Sequence, residues 1–390
     1  MIIVSDTKIM NRSGVLLQDT SRGYGCPQKY IQGPGELANI FAYGSKYGTR
    51  LLFLIDGGVF DMISGAIDAI ADKCGCTYEV TSFSGECCME NVALLSDTVR
   101  KHNCSVLVGV GGGKVLDTAK LVGDEVDMPR VIVPTSASSD APAADWAAVY
   151  TAEGVHISGR PTRRSTELVL VDSRIIVGAP ARLFAAGIGD ALATWFEAKA
   201  CQSAYTPNCV GRGYRSSRAA MAVSRECYQI LMTDGLSALE AVKSHVVTEA
   251  VENVIEANIL LSGLGFINGG LAGSHGFHNG FSNIPGSKKY LHGELVAFGL
   301  ICQLMLENAP TDTVNSVVDF LYNADLPITL DQIGIECTAD NLETIAEHTL
   351  NKNILIHHEP FAVSKDSLKG AIIAANNVGH HYFSRMAQRA

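Results

Sequence analysis

Apolar and polar positions follow two regimes along this chain. Up to about residue 180, short continuous apolar runs stand between stretches of helical spacing. Leu51–Ile55, Ser105–Val110, Arg130–Pro134 and Leu168–Val171 read as strands buried on both faces. Gln28–Gly35 reads as a short strand ending in a turn, and Tyr78–Phe83 as a further strand. Glu36–Tyr47, Phe60–Cys74, Met89–His102 and the stretch after Gly113 carry apolar residues at helical spacing. Ala147–Tyr150 and Val155–Ser158 flank Ala152–Gly154 and predict a hairpin. Strands alternating with helices across short turns imply a parallel sheet covered on both faces. Past Pro180 no further buried strand stands out. Long helical patterns take over at Ala181–Ser203, Ser216–Asp234, Gly235–Ser262, Gly293–Asn308 and Thr313–Asn323. The expected architecture is an α/β parallel-sheet domain over residues 1–179 and an all-α domain over residues 180–390.

Composition narrows the class. The chain has 390 residues, 47% apolar and 18% charged, which describes a packed globular enzyme and no disordered polymer. A net charge of −10 without a basic stripe argues against a nucleic-acid partner. Arg163-Arg164 and Lys288-Lys289 are isolated pairs that read as solvated surface. The 11 cysteines are odd in number and irregular in spacing. Cys74-Gly75-Cys76 and Cys87-Cys88 are too close for a zinc finger. Met1–Met10 includes Asp6 and Lys8 and has no apolar core of signal-peptide length. These features predict a cytoplasmic protein with free or buried thiols, and no apolar run reads as membrane-spanning.

Chemistry enters at Val108–Lys120. The end of an apolar run passes through three consecutive glycines, Gly111, Gly112 and Gly113, into helical spacing. Glycine lets a ligand come close to the backbone, and the first helical N–H groups lack partners, so the turn suits a phosphate or pyrophosphate. A tight β–α turn without a ligand has the same appearance. The spacing is neither the usual dinucleotide fingerprint nor a P-loop. Asp56 ends the Leu51–Ile55 strand, where a carboxylate can accept from a ribose hydroxyl pair or simply form a turn. Asp56, the glycine loop and the Thr135–Asp140 loop all fall at carboxyl ends of strands, where parallel sheets bind ligands. In the helical half, Asp190 interrupts a small, apolar helix face and needs a partner if buried. His275 and His278 stand at i, i+3, and His292 opens the next helix. An Asp with two His makes a three-ligand divalent-metal set with an open position, as a catalytic zinc needs. Each histidine alone also fits a structural role.

Several blocks resemble one family. Gly111-Gly112-Gly113-Lys114 with Asp117-Thr118-Ala119-Lys120, Pro134-Thr135 with Ala137-Ser138 and Asp140-Ala141-Pro142, and Gly189-Asp190-Ala191-Leu192-Ala193-Thr194-Trp195 with Glu197-Ala198 are similar to the glycerol dehydrogenases of the iron-containing (group III) alcohol dehydrogenase superfamily. Gly263–Ala272, His278–Phe281 and His292–Gly299 continue the match, which runs from about Lys29 to the C-terminal region. The first two dozen residues, 1–25, read as an extension.

The resemblance implies a Rossmann-like NAD domain and a helical zinc domain, the dehydroquinate-synthase-like architecture, with the active site in the cleft and a homo-oligomeric assembly. It implies metal ligands at Asp190, His275 and His292, counted with Asp140 as the catalytic set. Cofactor contacts are expected at Asp56, Gly111, Gly112, Gly113, Lys114, Asp117, Thr135, Ser138, Ala144, Trp146 and Tyr150. Asp140 is expected to bind a second hydroxyl and favour vicinal diols. Many iron-type relatives carry a His four residues after the ligand Asp; here that position is Thr194, which favours a three-ligand zinc site, with another divalent ion as the alternative. The expected reaction moves hydride between NAD and a small polyol, glycerol or a related diol or hydroxyketone. The segment Ala144-Asp145-Trp146 departs from the family pattern. It predicts a reshaped pocket with an added charge. Two other readings share the architecture: an NAD- and metal-dependent dehydroquinate-synthase-like cyclase, and an NAD-binding homologue without turnover.

Overall fold

The structure, a computed structural model, describes residues 21–71, 75–211, 213–352 and 354–388. Met1–Met10, most of the 1–25 extension and Cys74 therefore lie outside the described residues. The chain divides into two compact units.

The α/β unit comprises Gly25–Phe184 and Ser237–Gly263. Its strands are β1 Tyr30–Gly33, β2 Arg50–Asp56, β3 Thr77–Phe83, β4 Val106–Gly111, β5 Arg130–Pro134, β6 Trp146–Tyr150, β7 His156–Pro161 and β8 Leu168–Asp172. Helices α1 Ile40–Gly44, α2 Phe60–Ala71, α3 Met89–Lys101, α4 Gly113–Glu125 and α5 Ser173–Gly178 connect them. Among the described residues, six strands form one sheet in the order β1-β8-β5-β4-β2-β3, and every pairing in it is parallel. Strands β2, β4, β5 and β8 are continuous apolar runs because helices cover both faces, leaving no position for water. Phe53, Ile55, Val108, Val110, Val131 and Val133 form the centre of one core with Leu37, Ile40, Phe41, Ile63 and Ile67. The hairpin forms as expected, pairing β6 with β7 in a separate antiparallel ribbon.

Strand order sets where a ligand can sit. From β2 the chain moves outward to β3, then returns to the other side of β2 as β4. The carboxyl ends of β2 and β4 thus flank a topological switch point, where α/β sheets open a crevice. Register puts Ile55 opposite Val110, so Asp56 and Gly111 are neighbours there.

The helical unit comprises Ala185–Leu236, the segment from Leu264 onward and the described residues up to Tyr24. The chain supplies α6 Ala181–Ser203, α7 Arg218–Lys243, α8 Glu249–Glu256, a π turn Ala257–Leu261 and α9 Ser262–Gly269. Then follow α10 Gly273–Phe281, α11 His292–Leu306, α12 Thr311–Asn323, α13 Ala339–Asn351 and α14 Lys365–Ala387.

Three expectations are corrected. The division falls at Phe184/Ala185, not at residue 180, and Ser237–Gly263 packs with the α/β unit. The break expected at Gly235 is absent, because α7 runs through it to Lys243. Gly235 is there for packing: an added Cβ would stand 2.8 Å from the Phe320 ring. The chain breaks instead at Ser244–Thr248, where His245 takes φ 56° and the Thr248 hydroxyl caps α8 by accepting from Val251 N. Finally, the continuous helix Glu249–Gly269 is long and apolar enough to cross a membrane by length and composition, but 67% of its apolar window is buried inside the protein. The 10 described cysteines are free thiols.

Candidate functional site

The helical unit builds a cluster around Asp190. Helix α6 carries Asp190 and α11 begins at His292; the two helices touch through glycine. A Cβ at Gly293 would collide with the Ala186 carbonyl, and one at Gly189 would stand 2.6 Å from the Gly293 carbonyl oxygen. Only this backbone-to-backbone approach lets the short Asp190 side chain reach His292. Helix α10 brings His275 to the same point. Among the described residues, one ligand atom from each of Asp190, His275 and His292 lies within 4.8 Å of the others. His275 Nε2 is 3.4 Å and His292 Nε2 3.2 Å from Asp190 Oδ1.

Asp190 is 1% exposed, and neither of its oxygens has a hydrogen-bond partner. Burial alone would favour the neutral acid. The charges of His292 and His275, with the contacts they make, outweigh it and hold the carboxyl well below its usual range. An ionised, buried carboxylate facing two imidazole nitrogens, without a donor of its own, is an arrangement that a divalent cation completes. The His292 side chain is 42% exposed, so the cluster is open on that side.

The outer nitrogens of both imidazoles are also held. Glu197, two turns after Asp190 on α6, is fully buried. Its Oε2 stands 2.8 Å from His275 Nδ1. A carboxylate accepting from Nδ1–H leaves the Nε2 lone pair for a metal. His292 Nδ1 lies 3.0 Å from His278 Nε2, and His278 Nδ1 lies 3.0 Å from Asn279 Oδ1. Burial, then the neighbouring His292 and His275, push His278 well below the usual imidazole range, so its neutral ring can accept from His292. His278 thus stands behind His292 and outside the three-residue cluster.

Helix α10 is fixed at its start by buried side chains. Glu197 Oε1 accepts from Ala272 N and His275 N, both at 2.9 Å. Glu359 Oε1 accepts from Gly273 N at 3.0 Å, and Gln303 Oε1 from Ser274 N at 2.9 Å. The orphan donors of the helix start are therefore paired inside the protein. A neutral acceptor such as the Gln303 amide contributes about 0.5–1.5 kcal/mol per bond. In the sequence Glu197 stood only as a motif position without a role, and Gln303 and Glu359 were not singled out. Only Glu197 leaves a local signal, its i+7 spacing from Asp190 on one helix face.

The α/β unit builds a second cluster at the switch point. Gly111 has φ 146°, and a Cβ there would stand 2.5 Å from Asp56 Cβ and 2.6 Å from Val115 Cγ1. Gly112 and Gly113 are the opposite case, with nothing within 4 Å of an added Cβ. Gly112 caps α4 without any side-chain bond. A 13-residue helix thus starts without a side-chain cap and beside open space, which suits an anion. Asp56 Oδ1 accepts from Gly58 N at 2.9 Å. Thr135 N donates to Gly111 O, tying the next loop to the glycine turn. Ser138 Oγ lies 3.1 Å from Ser136 Oγ, and Asp140 accepts from Ser262 Oγ at 3.2 Å. Tyr150 packs edge-on against His156, and burial, with Asp117 and Glu86, pushes its hydroxyl up to about 12.

Several expected contacts take another form. Lys114 is paired with Glu86 at 2.5 Å. Both Asp117 oxygens are taken inside the protein, Oδ1 by Lys120 at 3.0 Å and Oδ2 by Ala148 N at 2.9 Å. Asp117 therefore anchors Lys120 and the backbone at Ala148. Lys120 is fully buried and also donates to the carbonyls of Ala141 and Trp146. This buried pair clamps both ends of the 141–146 segment; breaking such a pair costs about 3–5 kcal/mol. Asp145 adds no charge to a pocket. Its carboxylate accepts from Ser165 Oγ at 2.7 Å and Thr166 N at 3.4 Å, and burial raises its pKa. Ala144 is buried, and the Trp146 ring covers Gly159 of β7, where a Cβ would stand 2.5 Å away. Arg164, read as solvated, pairs with Glu167 at 2.6 Å and Asp127 at 3.1 Å.

Known proteins match along nearly the whole chain. A family model described as iron-containing alcohol dehydrogenase matches residues 27–173. A glycerol dehydrogenase of Escherichia coli O6:H1 is 38% identical over 357 residues, covering 91% of this chain and 97% of the relative. One from Thermotoga maritima is 40% identical over 354 residues, covering 90% and 96%. The crystal structure of a probable glycerol dehydrogenase from Sinorhizobium meliloti 1021 has a TM-score of 0.87 at 38% identity, covering 93% of this chain and 100% of that one. The fold and these matches define an oxidoreductase of the alcohol dehydrogenase type. The chain belongs to the iron-containing alcohol dehydrogenase family, among its glycerol dehydrogenases.

Proposed function

We propose that this enzyme oxidises a small vicinal diol, glycerol foremost, with NAD as hydride acceptor and zinc as the cation. The observation that carries the reading is the buried, unpartnered Asp190 carboxylate facing His275 and His292, each imidazole oriented from behind. The relatives' names supply the substrate class. Three protein donors leave a position for substrate, as catalytic zinc requires. Thr194 supplies no fourth donor, and its methyl packs on Gly265.

Asp190, His275 and His292 would hold the cation, and Glu197 and His278 would keep both Nε2 lone pairs directed at it. Asp56 would accept from ribose hydroxyls. The α4 amides at Gly112 and Gly113 would receive the diphosphate, with Lys114 exchanging Glu86 for it. Thr135, Ser138 and Tyr150 would line the remainder of the dinucleotide, with Ala144 and Trp146 near its nicotinamide end. Asp140 would accept from the hydroxyl next to the one oxidised. Bound there, the cation supplies Lewis-acid stabilisation of the reacting oxygen and NAD accepts the hydride. With Asp145 turned inward, no added charge argues for a shift to a charged substrate.

A panel of glycerol, 1,2-propanediol, 2,3-butanediol and a 2-hydroxy acid with NAD tests this. Vicinal diols are expected to give the highest kcat/KM. A 2-hydroxy acid winning would overturn the substrate assignment.

A further inference from the structure

The π turn between α8 and α9 sits where the helix meets the loop after β5. A π turn has poorer geometry than the α-helix around it and is kept where a side chain must be re-aimed. Here that side chain is Asn258. It is fully buried, and its Nδ2 donates to Ala137 O at 3.0 Å and to Phe184 O at 3.4 Å. Four residues on, the buried Ser262 donates from Oγ to Asp140 Oδ2 at 3.2 Å. The next residue keeps the backbones close: a Cβ at Gly263 would stand 2.9 Å from Asp140 O and 3.0 Å from Ala143 Cβ. The Asp140 side chain makes no capping bond to the short turn it precedes, Ala141–Ala143. Ser262, from across the fold, is thus one of the groups that orient it. On the loop's far side, Lys120 and Asp117 fix residues 141, 146 and 148. The segment from Ala137 to Ala148 is thus clamped by α4 and by the π-turned helix.

We propose that Ser262 is a specificity-determining positioning residue: its hydroxyl aims the Asp140 carboxylate at the second hydroxyl of a vicinal diol. The inference rests on the reading of Asp140 given above. A carboxylate already oriented by an internal donor loses less freedom when it accepts from a substrate. A monohydric alcohol offers no second hydroxyl and draws nothing from that orientation. Ser262 therefore acts on selectivity between diol and monohydric alcohol, and Asn258 holds the loop that carries Asp140.

The test compares wild type, S262A, S262T and D140N, all loaded with cation, on 1,2-propanediol and 2-propanol with NAD. Melting temperature and the Kd for NAD are measured alongside. Where 2-propanol turns over poorly, its inhibition constant against the diol serves instead. In S262A the KM for 1,2-propanediol is expected to rise about 5- to 10-fold, the equivalent of one ordinary hydrogen bond. Diol kcat, the 2-propanol constants, the Kd for NAD and the melting temperature stay at wild-type values, and S262T restores the diol KM. An equal loss on both alcohols, or no change on either, overturns the proposal, as does failure of S262T to restore. If D140N shifts the diol KM and S262A does not, the role of Ser262 alone falls. If D140N also leaves diol selectivity unchanged, the reading of Asp140 falls and takes this inference with it.

Discussion

Among single residues, Glu197 does most to shape the cluster around Asp190. It spans two tasks, capping α10 with one oxygen and orienting His275 with the other. In E197Q the amide oxygen can still accept from the two backbone N–H groups. Its NH2 then faces Nδ1, which favours the tautomer with the proton on Nε2 and blocks the ligand lone pair. Cation affinity is expected to fall about 10- to 100-fold in E197Q while apo-protein melting changes little. A competition titration against a fluorescent chelator checks this, and wild-type affinity in E197Q would remove the assigned role. The candidate ligands Asp190, His275 and His292 were legible as chemistry that the sequence scatters over about a hundred residues. The residues behind them were less so, because a buried acceptor is defined by what it faces. Asp117 shows the reverse case. It lies in a conspicuous motif, yet it serves the loop through Lys120, a residue type seldom fully buried and so easily read as surface.

Among the elements, the β4–α4 turn separates two uses of glycine. Gly111 is forced by its positive φ and by Asp56, whereas Gly112 and Gly113 face open space. G111A is expected to lower stability by about 1–3 kcal/mol. G113A should melt as wild type and bind NAD about tenfold more weakly, since its methyl occupies the anion's approach. Thermal melts with fluorescence titration of NAD separate the two. Loss of stability in G113A, or none in G111A, would contradict the assignment.

The start of α10 has its own pH signature. Burial, then the charges of Glu307 and Glu197, push the Glu359 carboxyl up to about 9, so it folds as the neutral acid. Its unfolded pKa is about 4.3. The unfolded chain therefore binds fewer protons than the folded one between these values, and stability contributed by neutral Glu359 is present in full below the lower value and is lost as pH rises towards the upper one. The melting temperature is expected to decline from about pH 6 to pH 9, and less in E359Q, which keeps an acceptor for Gly273 N. Equal slopes in both proteins would exclude Glu359 as the source. Strands and long helices were legible from period and run length, whereas the π turn was not, since nothing in the apolar pattern of Glu249–Gly269 marks an added residue.

For the whole molecule, the change from apolar runs to helical spacing located both units, but not their membership. Ser237–Gly263 reads as helix and so was grouped with helices, although its side chains serve the α/β unit through Gln32, Ala137 and Asp140. Periodicity reports local structure; which unit a helix buries its face against is a tertiary fact. In the proposed function a cation held by Asp190, His275 and His292 is required for net oxidation of a diol by NAD. The most direct measurement is NADH formation from glycerol by purified enzyme before chelation, after chelation and dialysis, and after add-back of zinc, with D190A in parallel. Activity that disappears on chelation, returns with zinc and is absent from D190A is the predicted result. NADH formation that survives chelation and the D190A substitution, or a metal-loaded enzyme that binds NAD but never accumulates NADH with any diol, would contradict it.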